Sequence, residues 1–296
     1  MSISVKPENI KALAMDLDGT LLAPGNVLTE RSISAISRCR QKGIKIIIAT
    51  GRAIEAAEPY RVSLGADGPA IYYNGAVVAD MPAGTPALTP PGAPSPAADI
   101  FSITLLDKDS VEFCIDLSRQ MGIYYQAYFP GTAADPRIVL LTERDAPERE
   151  MYHKHTGILA ELGDLKEALH RPEIAGCVKT MFLAEPEVQA LIRPRLTEHF
   201  GGSVYIAQTY RSFLEVMNAN VSKGQGLKIA MERLSLKPHE VIAFGDEEND
   251  LPMFSAAGFS AAPSGAKENV KAAASLVIGS NSEDGVAEFL EEFFGL

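Results

Sequence analysis

The chain lacks any apolar run of about 18 residues, the length a helix needs to cross a bilayer, so no membrane span is expected. Its first stretch, MSISVKPENIKALAMDLDGT, has no signal-peptide hydrophobic region and meets a charge early, at Asp16. Basic clusters are missing as well. Against 38 acidic residues there are 27 lysines and arginines, a formal charge of -11. That balance argues against nucleic acid and anionic membrane as partners, because both reward clustered positive charge. Cysteine is scarce: Cys39, Cys114 and Cys177 lie far apart and form no CxxC pair. An odd, scattered set does not make a disulfide framework and reads as buried or half-buried thiols in a reducing compartment. The cytoplasm is the expected location. No internal repeat is visible.

What is present suits two domains. The length is 296 residues, and 46% hydrophobic residues supply a core. Ile10 to Leu17 reads as a buried strand, and Thr29 as the N-cap of a helix running toward Gly43. IKIIIAT, residues 44–50, is a second buried strand with β-branched residues on both faces, as a parallel sheet demands. A helix over Ala53 to Leu64 and a strand from Ala70 to Tyr73 complete a βαβαβ order. Six prolines between Pro82 and Pro96 then suggest an extended connector. Residues 100 to 218 change rhythm, with strand-like segments such as FSITLL, IYYQAYF, VKTMFL and FLEVMNA between helical ones, the pattern of an antiparallel α+β module. From Asn220 the α/β alternation returns. The predicted fold is therefore a doubly wound, mainly parallel, Rossmann-like sheet with an inserted α+β domain. The core takes 1–81 and 220–296, the insert 82–219.

Four motifs fall where predicted core strands end, the edge at which open α/β sheets bind ligands. In Asp16-Leu17-Asp18-Gly19-Thr20, period-two alternation points residues 16 and 18 to one side. Two carboxylates there need a cation or a shared proton, and they suit phosphoryl transfer, one attacking phosphorus and the other moving the proton. Thr50-Gly51-Arg52 offers a hydroxyl and a backbone N–H for an anion, or simply a helix cap; Arg52 reads equally as a structural ion-pair partner or a substrate contact. Lys223, in Val221-Ser222-Lys223-Gly224, sits in the first turn of a helix, where the macrodipole disfavours a cation. A phosphate and a carboxylate would explain it; on its own it reads as a solvated surface lysine. In Gly245-Asp246-Glu247-Glu248-Asn249-Asp250, the acids at 246 and 250 share a face if a helix begins there, and such hard oxygens suit Mg²⁺.

In this order the motifs resemble those of the haloacid dehalogenase-like hydrolases. Asn74-Gly75-Ala76 and Glu283-Asp284-Gly285-Val286-Ala287 are similar to the Cof-type branch, which carries a type IIB cap between the second and third motifs. The resemblance covers 1–81 and 220–296 and is looser over the cap. It implies a Mg²⁺-dependent phosphatase acting on a small phosphorylated metabolite, with Asp16 as nucleophile and Asp18 as acid and base. It also implies metal binding by Asp16, the Asp18 carbonyl and Asp246, and phosphate binding by the Leu17 main chain, Thr50, Gly51, Lys223 and Asn249. Asp250 would orient Lys223 or water. The resemblance further places Asn74 near the substrate, although Asn74-Gly75 alone reads as a hairpin turn. Two departures stand out: the Pro-rich stretch is longer than usual, and Ser264-Gly265-Ala266 replaces an Asn-Ala pair. A phosphomutase, or a binding protein that has kept the fold without turnover, are the alternatives. His153 and His155 read as surface residues, and Tyr124, Tyr125 and Tyr128 as sheet packing.

Overall fold

The apolar runs that end in the first, second and fourth motifs are short and rich in Ala, Ile and Val, so they can be covered on both faces. In a computed structural model, which describes residues 5–80, 99–132 and 137–296, they form three adjacent strands of one parallel sheet, whereas the Lys223 motif, expected to end a core strand, follows Phe213–Asn218 of a separate sheet. The order of the parallel sheet is Leu276–Ile278, Phe259–Pro263, Val241–Phe244, Ala12–Met15 and Lys45–Ile48. The chain starts in Ala12–Met15, next to the end strand Lys45–Ile48, and later returns on its other side. The order therefore reverses between Ala12–Met15 and Val241–Phe244, and their C-terminal ends open the crevice where such folds take ligands.

Helices cover both faces, as the alternation predicts. Leu227, Ala230, Met231, Met253, Phe254 and Val270 pack on one face, against Ala12, Ala14, Ile47 and Ala243. The helices Glu30–Gln41 and Gly285–Phe294 pair elsewhere in this unit, with Glu291 accepting hydrogen bonds from Arg31 and Arg38. Phe289 meets the Phe244 ring edge to face at 5.7 Å. Thr29 is the N-cap expected: its Oγ1 accepts the Ser32 N–H at 3.1 Å.

One expected strand departs from the βαβαβ pattern. Ala70–Tyr72 touches the parallel sheet through a single bridge, Ala49 to Ile71, and pairs instead with Val77–Asp80 as an antiparallel hairpin. Tyr73, Asn74 and Gly75 form its turn, all at positive φ. Below it, Tyr72 Oη donates to Glu58 Oε1 at 2.5 Å and Arg61 Nε donates to Glu58 Oε2 at 2.8 Å, a buried network that anchors the hairpin.

The contacts divide the chain into two units, residues 1–102 with 222–296, and 103–221. The strand Asp99–Ile103 adds to the hairpin sheet of the first unit, so FSITLL is not wholly part of the middle module. The Pro-rich stretch expected as a connector lies outside the described residues. In the second unit, a six-stranded sheet runs Val204–Tyr210, Phe213–Asn218, Lys179–Leu183, Tyr124–Phe129, Val139–Thr142 and Glu161–Leu162, antiparallel except for the last pair. The helices Lys108–Met121, Leu165–Leu169 and Pro186–Phe200 supply its apolar cover. Tyr125 belongs to that core, while Tyr128 Oη meets Tyr152 Oη at 2.6 Å. His155 is exposed and lies beside the rings of Tyr210 and Phe213. No helix among the described residues is long and apolar enough to cross a membrane.

Candidate active site

Asp16 directly follows the strand Ala12–Met15, and its N–H continues the ladder by donating to the Phe244 carbonyl at 3.0 Å. This pins the first acidic motif beside the fourth. The next residues turn sharply: the Leu17 carbonyl accepts the N–H groups of Leu21 and Leu22. Gly19 makes the turn possible, at φ 79°, and a Cβ there would lie 2.2 Å from Asp246 Oδ2. Thr20 closes it by donating to Asp246 Oδ1 at 2.6 Å. The sequence reading assigned Thr20 no role; its hydroxyl at the end of the motif was the available signal.

Lys223 is buried, not solvated. Ser222 caps its helix by accepting the Gln225 N–H, and the ammonium donates to Asp16 Oδ1 at 2.5 Å and to Asp250 Oδ1 at 2.7 Å. The cost of a cation at a helix N-terminus is offset by two carboxylates at contact distance. Asp246 and Asp250 also come together differently from the expectation. The regular helix begins only at Leu251, after a short 3₁₀ turn over Glu248–Asp250. Asp250 instead folds back, and its Oδ2 accepts the N–H groups of Asp246 and Glu247 at 2.9 and 3.0 Å. Glu247 and Glu248 are exposed.

Arg52 forks onto Asp18: Nε donates to Oδ2 at 2.7 Å and Nη2 to Oδ1 at 2.5 Å. Arg52 thus has an ion-pair partner at the site. Thr50 is fully buried; its Oγ1 accepts the Arg52 N–H, and its carbonyl accepts the Asn74 N–H. Gly51 packs against the Asn74 amide, where a Cβ would lie 2.9 Å from Oδ1. Asn249 Nδ2 in turn donates to Asn74 Oδ1 at 2.9 Å. The structure thus brings Asp16, Asp18, Thr50, Gly51, Arg52, Asn74, Lys223, Asp246, Asn249 and Asp250 to one end of the core sheet.

Electrostatics make this cluster incomplete. Asp16, Asp246 and Asp250 offer oxygens all within 4.8 Å of one another, against the single ammonium of Lys223. Burial raises the Asp16 pKa well above the usual carboxylate range; Lys223 opposes this, and Asp250, Asp246 and Asp18 add to it. Burial likewise pushes Asp246 up to about 6, with the Thr20 hydrogen bond opposing and Asp250 adding. For Lys223, burial alone would favour the neutral amine, but Asp16 and Asp250 outweigh it and keep the ammonium charged. Asp250 and Asp16 share the Lys223 ammonium, and Asp250 also accepts two N–H groups, so the three carboxylates together exceed the one cation that touches them. Two hard, crowded carboxylates with raised proton affinity fit a divalent cation of the Mg²⁺ type.

This chain matches a model of haloacid dehalogenase-like hydrolases over residues 13–290. It is 30% identical over 290 residues to a putative phosphatase of Haemophilus influenzae, covering 97% of each chain. It is 28% identical over 295 residues to a pyridoxal phosphate phosphatase of Escherichia coli K12, covering 95% of this chain and 97% of that one. Among solved structures, TM0651 of Thermotoga maritima superposes with a TM-score of 0.80 at 26% identity, over 96% of this chain and 97% of the other. With the fold, the motifs and the match over nearly its whole length, the chain belongs to the haloacid dehalogenase-like hydrolases, among their Cof-type phosphatases.

Proposed function

We propose that the chain hydrolyses small phosphomonoesters, sugar phosphates or similar metabolites, through an aspartyl-phosphate on Asp16, with Mg²⁺ as cofactor. The observation that carries this reading is the buried Asp16–Lys223–Asp250 chain beside Asp246: a carboxylate aligned by a cation, with an acidic neighbour whose charge is unbalanced. The E. coli relative, by name a pyridoxal phosphate phosphatase, supports a small phosphorylated substrate.

In this mechanism an Asp16 carboxylate oxygen attacks phosphorus, and the bond to the leaving oxygen breaks. Asp18 gives that oxygen its proton. Asp18 then takes a proton from water, whose oxygen attacks phosphorus and breaks the bond to Asp16, releasing phosphate and restoring the carboxylate. Arg52 grips both oxygens of Asp18, so this pair has to open before Asp18 reaches a leaving oxygen. Lys223 holds Asp16 in place and faces the developing negative charge. Thr50, Gly51, Asn249 and the Leu17 N–H supply further donors for the phosphoryl oxygens. Asp16, the Asp18 carbonyl and Asp246 would hold Mg²⁺, which when bound neutralises charge on the nucleophile and the phosphoryl group. The inserted unit, residues 103–221, serves as the cap that selects the substrate, and the three unpaired thiols suit a cytoplasmic setting.

The test is phosphate release from a panel of phosphorylated metabolites, with Mg²⁺ and with EDTA, for the wild type and Asp16→Asn. Release that depends on metal and falls about a thousandfold or more in the variant is the expected result. Normal release by Asp16→Asn would remove Asp16 as nucleophile.

A further inference from the structure

We infer that Asn74 is a positioning residue for phosphate recognition: its side-chain amide orients Asn249 so that the Asn249 N–H faces the phosphoryl group. This rests on the reading above, in which Asn249 binds phosphate.

The turn that carries Asn74 is held at unusual cost. Tyr73 and Asn74 both adopt left-handed backbone, at φ 50° and 57°, a region that L-residues other than asparagine and aspartate seldom visit. The surroundings enforce it. Tyr73 N–H donates to the Arg52 carbonyl and Asn74 N–H to the Thr50 carbonyl, each at 3.0 Å. Gly75 packs so closely on the N-cap of the Lys223 helix that a Cβ would lie 2.2 Å from the Ser222 carbonyl oxygen. The turn is therefore stitched to two phosphate-site motifs at once, and a simple hairpin needs no such anchoring.

The side chains show what the anchoring serves. Asn74 is 2% exposed. With Asn249 Nδ2 donating to Asn74 Oδ1, two buried atoms are left without a partner, Asn74 Nδ2 and Asn249 Oδ1. Buried amide atoms are rarely left so, because each forfeits its bonds to water. In this setting the spare atom of Asn249 is an acceptor, which is the wrong polarity for an anion. The two ends of an amide exchange places by a half-turn of the terminal torsion. A half-turn of both keeps the hydrogen bond but reverses it: Asn74 Nδ2 donates to Asn249 Oδ1, and Asn249 Nδ2 becomes the free donor. Only a residue that both donates and accepts can support this exchange. Asparagine does so while tolerating left-handed backbone.

The experiment is a double-mutant cycle read by kcat/KM on p-nitrophenyl phosphate and by competitive inhibition with inorganic phosphate. Asn74→Gly keeps the backbone freedom and removes the amide; Asn249→Ala removes its partner. Each single variant is expected to weaken phosphate inhibition and kcat/KM about tenfold, and the double variant is expected to be no worse than Asn249→Ala alone. If the glycine lowers the melting temperature, Asn74→Asp takes its place, since it tolerates the same backbone and accepts but cannot donate. Full addition of the two effects, or wild-type phosphate inhibition in the Asn74 variant, overturns the inference while leaving the phosphatase reading intact. Wild-type inhibition in Asn249→Ala overturns it by removing Asn249 from the phosphate site, a failure of the underlying assignment.

Discussion

Lys223 carries more of the site's electrostatic balance than any other single residue, because its ammonium meets two carboxylates with almost no exposure to solvent. Removing it leaves Asp16 and Asp250 facing each other without a cation, where burial already disfavours the charge of Asp16. Lys223→Ala is accordingly expected to lower stability by about 3–5 kcal/mol and kcat/KM by about a hundredfold. Chemical denaturation and steady-state kinetics measure the two effects. Unchanged kinetics would take Lys223 out of the site. Gly19 and Thr20 act more indirectly: the glycine leaves room for the Asp246 carboxylate, and the threonine hydroxyl fixes its rotation.

At the scale of elements, the site depends on helix ends more than on helix interiors. Thr29 joins two of them. Its Oγ1 accepts the Ser32 N–H at 3.1 Å and donates to Asp284 Oδ1 at 2.6 Å, linking the first turn of Glu30–Gln41 to the residue that precedes Gly285–Phe294. Thr29→Ala removes both bonds and should destabilise the chain by about 1–2 kcal/mol. Thr29→Ser should recover most of that loss in a denaturant titration. Because Thr29 holds no site residue, kcat/KM is expected to stay within about twofold of the wild type; a large kinetic defect would mean that this junction reaches the site.

Considered whole, the molecule keeps its thiols out of reach. Cys39, Cys114 and Cys177 are all buried and free; burial pushes Cys39 up to about 11 and raises the other two thiols as well. The native protein should therefore react slowly with a thiol reagent at pH 8 and expose three reactive groups on unfolding, a difference a colorimetric titration reads directly. The linkage has a definite sign. A thiol whose folded pKa lies above its unfolded value of about 9 stabilises the fold below that pH, and its contribution is lost as pH rises toward 11. The melting temperature should fall over that alkaline range, and less steeply in Cys39→Ala.

Strand identities, the Thr29 cap, the parallel core and the four motifs were legible in the residues, because each rests on local pattern: β-branched apolar runs, capping side chains, and acids at strand ends. What the sequence could not settle were choices between chemically equivalent partners. Arg52 had several possible acceptors, and only the sheet order brings Asp18 within reach of its fork. Lys223 taken alone read as a surface residue, and only the set of motifs pointed it to the site, because its two carboxylates lie 207 and 27 positions away in sequence. The pairing of Asp246 with Asp250 looked helical by spacing, yet it comes from a side chain folding back on the main chain. The hairpin at 70–80 broke the expected alternation because a left-handed turn at Tyr73 and Asn74 reverses the chain. Local sequence determines which elements form and which residues end them, since propensity and capping act over a few positions. Tertiary structure decides which charges meet, because burial and contact between distant strands alone fix their distance and dielectric surroundings.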